Sequence, residues 1–217
     1  MTPVAAMLLA DGRFPAGGHA HSGGLEAAVS DGRVHDVASL ASFVEGRLAT
    51  SGRVAAGLAA ATCSGRWPAA VLDAEADARI SSPALRRASR VQGRQLVRAA
   101  AHAWPVPVAA SSSPHHAVAV GVVAAAAGLA PVDAARWAAY DSVMTPATAG
   151  VRLLALDPFA VSSLVAGLAT AVDEVAAEAA AWAAGAVEPE DLPCPAAPLL
   201  DLGAEVHAVE EVRLFAS

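Results

Sequence analysis

Residues 10–26, ADGRFPAGGHAHSGGLE, hold most of the side chains in this sequence that could do chemistry together. Seventeen residues carry two histidines, a serine, an arginine and two carboxylates, spaced by five glycines and a proline. His19 and His21 have the alternation of a metal-binding pair, and imidazole suits several borderline divalent ions. Ala20-His21-Ser22-Gly23-Gly24 has the composition of a hydrolase nucleophile elbow, but that elbow needs a strand before its serine and a sheet around it. No strand pattern precedes Ser22. A closed metal site needs further ligands beside the pair, and here no cysteine is near and the other histidines are distant in sequence. Transient contact with a borderline divalent metal ion is the chemistry left to the pair. The plainer role for His21 is a loop histidine bonded to backbone near a helix start. No catalytic residue and no metal ligand is assigned.

Three other constellations are polar for a reason. In residues 83–103, Arg86, Arg90, Arg94 and Arg98 recur every four residues with Arg87 beside them. At 100° per residue they fill one slanting sector, opposite Leu85, Ala88, Leu96 and Ala99. A charge run of this kind is usually a solvated face. On a chain with a formal charge of −7, five clustered arginines also suit a partner surface. Ser89 and Gln92 fall on the apolar side and need hydrogen bonds, and Gly93 would let another helix approach closely. His115 and His116 point about 100° apart on a helix and chelate poorly, so they read as polarity at a helix start. Arg213, flanked by Val212, Leu214 and Phe215, offers a planar fork for carboxylates or carbonyls on a terminal segment with apolar anchors.

The elements that must position these groups read as helices throughout. Ser22 is expected to cap a short helix with Glu26 in its first turn, and Asp31-Gly32 to stop it. Asp36 should cap a helix whose Leu40, Phe43, Val44 and Leu48 share a face, ended by Gly52. Arg53–Ser64 follows, closed by Gly65. Ser82-Pro83, Ser113-Pro114 and Asp157-Pro158 each place a capping side chain before a proline at the first helical position. A helix from Pro131 carries Trp137 and Tyr140, and Pro146 inside it should kink or break it. Residues 158–184 read as one long helix closed by Gly185. Four prolines in residues 188–198 read as a linker before an amphipathic piece over 199–213. No alternating strand and no fixed repeat is found. The expectation is an all-α, single-domain multi-helix bundle: core 1–185, proline-rich linker 186–198, and a C-terminal helix and tail 199–217 ordered by a partner.

Composition bounds the function. The acidic balance, with pI near 5.4, argues against a phosphate-tracking nucleic-acid binder. All fourteen basic residues are arginine, and alanine supplies much of the 55% hydrophobic content, so small side chains should let helices pack closely. Cys63 and Cys194 form no CxxC and fit a reduced cytoplasmic protein. The early Asp11 and the lack of a basic start do not fit a signal peptide. No run is apolar for long enough to span a membrane.

Several of these motifs carry a family resemblance. Phe14-Pro15-x-Gly17 with His21-Ser22-x-Gly24-Leu25-Glu26 resembles the N-terminal signature of the urease accessory protein F (UreF) family, although His19 stands where that family commonly has an aromatic. Pro83-x-Leu85-Arg86-x-Ala88-Ser89-x-x-x-Gly93 is similar to its second signature. Arg136-x-x-x-Tyr140 with Val151-Arg152-Leu153 resembles its C-terminal half, in which the tyrosine lies at or near a partner-facing surface. The chain departs there, having Leu154-Ala155-Leu156-Asp157-Pro158 where many relatives have a Gly-Pro-rich stretch. Arg213-Leu214-Phe215-Ala216-Ser217 matches the family's ending, with His207 before it. The resemblance implies a non-catalytic scaffold, a urease chaperone that dimerises, binds UreD (UreH in some organisms) and with it recruits the GTPase UreG. The assembly would deliver nickel to apo-urease, so the metal is cargo and no cofactor is implied. His19, His21, Ser22, Glu26, Arg86, Arg90, Arg94, Tyr140 and Arg213 are the partner-binding candidates. A generic helical adaptor, or a metal-dependent enzyme using His19 and His21, are the alternatives from the residues alone.

Overall fold

Alanine has the highest helix propensity and needs little room, and the chain uses it both to form helices and to bring them together. In a computed structural model, residues 3–107 and 113–216 are described, and among them there are helices and no strand. The helices are α1 (Pro3–Ala10), α2 (Leu25–Ser30), α3 (Val37–Arg47), α4 (Arg53–Ser64), α5 (Ala69–Arg79), α6 (Pro83–Ala100), α7 (His116–Ala126), α8 (Pro131–Leu154), α9 (Pro158–Gly167), α10 (Ala169–Gly185) and α11 (Pro198–Ala208). The all-α expectation holds. No single helix among the described residues is long and apolar enough to cross a membrane.

Helix α4 lies at the centre, packed against α7, α8 and α10. It is buried along nearly its whole length, including the side chains of Leu58, Ala59, Ala60 and Ala61. Missing side chains set its crossing with α7: a Cβ on Gly121 would lie 2.5 Å from the Thr62 Cβ and 2.6 Å from the Ala59 carbonyl oxygen. Gly93 does the same for α6 and α7, because a Cβ there would collide with the Pro114 carbonyl oxygen. The close approach expected at Gly93 is therefore real, and it is made by backbone.

Start signals were the most legible part of the pattern. Asp36 caps α3, accepting from the Ser39 N–H at 2.8 Å. Ser82 caps α6 through the Leu85 N–H at 3.1 Å, and Asp157 caps α9 through the Phe159 N–H at 3.0 Å. Four expectations need correction. Gly24, not Ser22, is the capping position of α2, in left-handed backbone at φ +87°; the Ser22 hydroxyl accepts one residue later, from the Glu26 N–H at 3.3 Å. Gly52 does not end a helix. Instead α3 runs into α4 through a π-helical turn, Leu48–Gly52, and Gly52 leaves space for the Ser142 hydroxyl of α8. Helix α7 starts at His116, not at Pro114, and takes its caps from other helices. Residues 158–184 form two helices bent by 43° at Leu168. Helix α5, which no start or stop signal had suggested, buries Leu72 and Ala76.

Pro146 neither breaks nor ends α8. A proline has no N–H for the carbonyl four residues back, here that of Ser142. The Arg47 Nε–H fills the gap, donating to the Ser142 oxygen at 3.0 Å across the α3–α8 contact. The helix runs on through Pro146, and a residue of another helix completes its hydrogen bonding.

The stretch 186–198 lies against α5, with Leu192 in the core and its carbonyls gathered by one side chain. The Arg79 guanidinium, 5% exposed, donates to the carbonyls of Pro189, Glu190, Leu192 and Pro193 at 2.9–3.4 Å and pairs with Glu75. Helix α11 then packs on α2 and α6, and Phe215 is buried. The C-terminal segment is thus seated on the helical core in the single chain. Ser217 lies outside the described residues.

Candidate functional site

The glycine-rich loop shapes the site. Gly17, Gly23 and Gly24 all have positive φ, between +63° and +87°, a region that side chains disfavour. Between them a short 3-10 turn, Gly18–Ala20, sets His19 outward and His21 inward. Both histidines line a cavity of about 500 Å3 between this loop, α7, α8 and the tail, with His116, Asp141, Arg152 and Phe215 among the other walls. Tyr140 also lines it.

Burial controls the charge in this cavity. His21 is 3% exposed, and its pKa is pushed down to about 4, first by desolvation and then by His116, with Asp141 opposing. His116 is also held below its ordinary value by desolvation; Asp141, 3.9 Å from its Nδ1, works the other way, and Arg47 adds to the lowering. At neutral pH the two rings are therefore neutral imidazoles. Among the described residues no group of three or more His, Cys, Asp or Glu is placed to hold a metal ion.

Glu26 closes the site. Its carboxylate, largely buried, accepts from the Leu214 N–H at 2.7 Å and the Phe215 N–H at 3.0 Å, and its Oε2 lies 2.8 Å from His207 Nε2. Burial opposes its charge, yet the donors from Leu214, His207 and Phe215 together hold its pKa below the ordinary value. The Ala216 N–H donates to the Ala20 carbonyl at 2.8 Å. Arg152 completes the seat: it donates to the His19 carbonyl at 3.2 Å, and its guanidinium carbon lies 4.7 Å from the centre of the Phe215 ring. One carboxylate of the N-terminal signature therefore holds the family-like ending, and the buried aromatic of that ending walls the cavity.

A second polar cluster has the membership of a hydrolytic triad. His115, fully buried, has Nδ1 3.0 Å from the Ser89 Oγ and Nε2 2.8 Å from an Asp77 oxygen. The Ser89 oxygen also accepts from the His116 N–H at 3.0 Å, and Asp73 accepts from the His115 N–H at 2.7 Å. These bonds satisfy the first amides of α7. The cluster is a helix cap assembled from α5 and α6, and the hydrogen bond sought by Ser89 in the sequence is this one.

The arginine run divides in two. Arg90 bridges Asp73 and Asp77 at 2.9 and 2.6 Å and donates to the Ser113 carbonyl, and Arg86 donates to the Ile80 carbonyl. Both serve the fold. Arg87, Arg94 and Arg98 are exposed. Arg213 is exposed as well, at a crevice of about 260 Å3 shared with Arg87 and His207. The sequence reading did not single out Arg47, Asp141, Asp77 or Arg79. Only Pro146 gave a hint, by announcing a carbonyl in need of a donor.

A family model described as UreF matches residues 34–169. Urease accessory protein UreF of Mycobacterium sp. (strain JLS) is 46% identical over 220 residues, and that of Mycolicibacterium vanbaalenii 46% identical over 223. The protein so named from Mycobacterium tuberculosis (strain H37Rv) is 40% identical over 220 residues. In each case the match covers all of both chains.

Proposed function

The chain belongs to the UreF family of urease accessory proteins, and we propose that it acts in the cytoplasm as a non-catalytic scaffold for loading nickel into apo-urease. In this reading it dimerises, binds UreD (UreH), and with it recruits or regulates the GTPase UreG. Nickel is cargo handled by the assembly. The observation that supports the reading is convergence: the N-terminal signature, the Tyr140–Arg152 segment and the C-terminal ending meet around one cavity, with Glu26 as the joint. Neutral imidazoles at His21 and His116 suit brief contact with a borderline divalent ion. Arg213 stands free beside this joint, where its fork can meet a partner's carboxylate or carbonyls.

The test is co-expression with UreD, UreG and apo-urease. The wild type should co-purify with both proteins and raise urease activity. Arg213→Ala should keep the fold and UreD but lose UreG and activation. A variant that assembles all three and activates urease like the wild type removes Arg213 from the reading.

A further inference from the structure

The outer face of α6 carries three cations that the molecule does not use. Arg87, Arg94 and Arg98 are exposed and, among the described residues, none lies within ion-pair distance of a carboxylate. Arg94 has only a long contact to the Ser113 hydroxyl, 3.4 Å. Glu205 feels Arg87, but that carboxylate already accepts from the Ser82 hydroxyl and the Ala84 N–H. Helical geometry puts the three arginines within a sector of about 40°, at steps of about 10.5 and 6 Å along the axis. The result is a straight row on a helix that packs against α7 and, beside Arg87, against α11.

The row is also selective within its own run. Arg86 and Arg90, the neighbours that point elsewhere, are consumed by a carbonyl and by two aspartates. A chain with formal charge −7 that neutralises one set of arginines and leaves an aligned set exposed presents a local positive stripe on an acidic body. The acidic body repels a long polyanion, while the short stripe suits a ligand of similar length. We propose that the Arg87–Arg94–Arg98 row is a docking surface for a carboxylate-rich helix of a partner protein. The contact steers encounter and fixes register as well as supplying affinity. It rests on the scaffold reading above for the partner's presence in the same assembly, but not for the chemistry of the surface.

The experiment titrates the full chain with a fluorescein-labelled helical peptide bearing glutamates along one face, and with the same peptide bearing glutamines. The glutamate peptide should bind at least about tenfold more tightly, and added salt should weaken it. The triple variant Arg87→Glu, Arg94→Glu, Arg98→Glu should lose that preference. Arg13→Glu with Arg33→Glu, a charge change elsewhere, should retain it. Equal binding of the two peptides, or equal loss in both variants, overturns the proposal; so does tighter binding of a short DNA duplex. In the co-purification assay the triple variant should lose a partner that the wild type holds. If the wild type holds none, the scaffold reading fails while the peptide result still judges the surface.

Discussion

At the scale of single residues, two ionisable side chains make the tail and the cavity sensitive to pH in the same direction. The depressed pKa of Glu26 means that its contribution is complete above its ordinary value of 4.5 and is lost as pH falls through its folded value. Glu26→Gln removes the charge from three hydrogen bonds, each of the charge-assisted kind. It should cost about 2–3 kcal/mol in chemical denaturation and speed hydrogen exchange at the Leu214 and Phe215 amides. Unchanged exchange would show that the tail is held by something else. For His21 the neutral form is the folded one. The unfolded ring takes up its proton near 6.5 and the folded ring only near 4, so stability should decline as pH falls across that window. His21→Gln should flatten the decline without abolishing it, since His116 is depressed by the same cause. Denaturant midpoints at several pH values read this directly.

At the scale of elements, Arg47 of α3 stands in for the amide that Pro146 of α8 lacks. Arg47→Met leaves the Ser142 carbonyl without a donor inside the protein and should cost about 2–3 kcal/mol. Pro146→Ala restores an N–H at the position that carbonyl ordinarily uses. In that background Arg47→Met should cost clearly less, and a double-mutant cycle with no coupling would refute the substitution of one donor for the other. The same region shows what a single sequence discloses. Caps such as Asp36, Ser82 and Asp157 are local signals, legible because side chain and amide are within a few residues of each other. Arg47 and Ser142 are 95 residues apart, and nothing local marks them. Gly52 misled for the same reason: its lack of a side chain answers to a neighbour on α8 and not to a helix end. Of the site, the loop histidines, Glu26 and Tyr140 stood out by type and motif, whereas Asp141 and Arg152 become cavity walls only once α8 faces the loop.

At the scale of the whole molecule, stability depends on backbones meeting where side chains are absent. The Gly93 contact with the Pro114 carbonyl leaves no room for a methyl. Gly93→Ala should part α6 from α7 and cost about 3 kcal/mol, at the upper end of overpacking, seen as a lower Tm. Gly12→Ala, in open space with ordinary φ, should change Tm little. Equal effects would show that the crossing is looser than its geometry. An alanine-rich core has few large side chains to lock helices by shape, so glycine crossings and long-range arginines such as Arg79 take over that task. That is also why the all-α class could be read from the sequence while the crossings could not.

The borrowed start of α7 bears on how the chain is made. Its sequence, rich in valine and opened by two histidines, lacks a capping residue of its own, and nucleating a helix is costly without one. Asp73 and Ser89, which receive its first amides, leave the ribosome before it does. The order of synthesis therefore presents the finished template first and the segment that needs it second. Placing the same residues in a circular permutant that begins with α7 would reverse that order, and the segment would wait uncapped until α5 and α6 arrived.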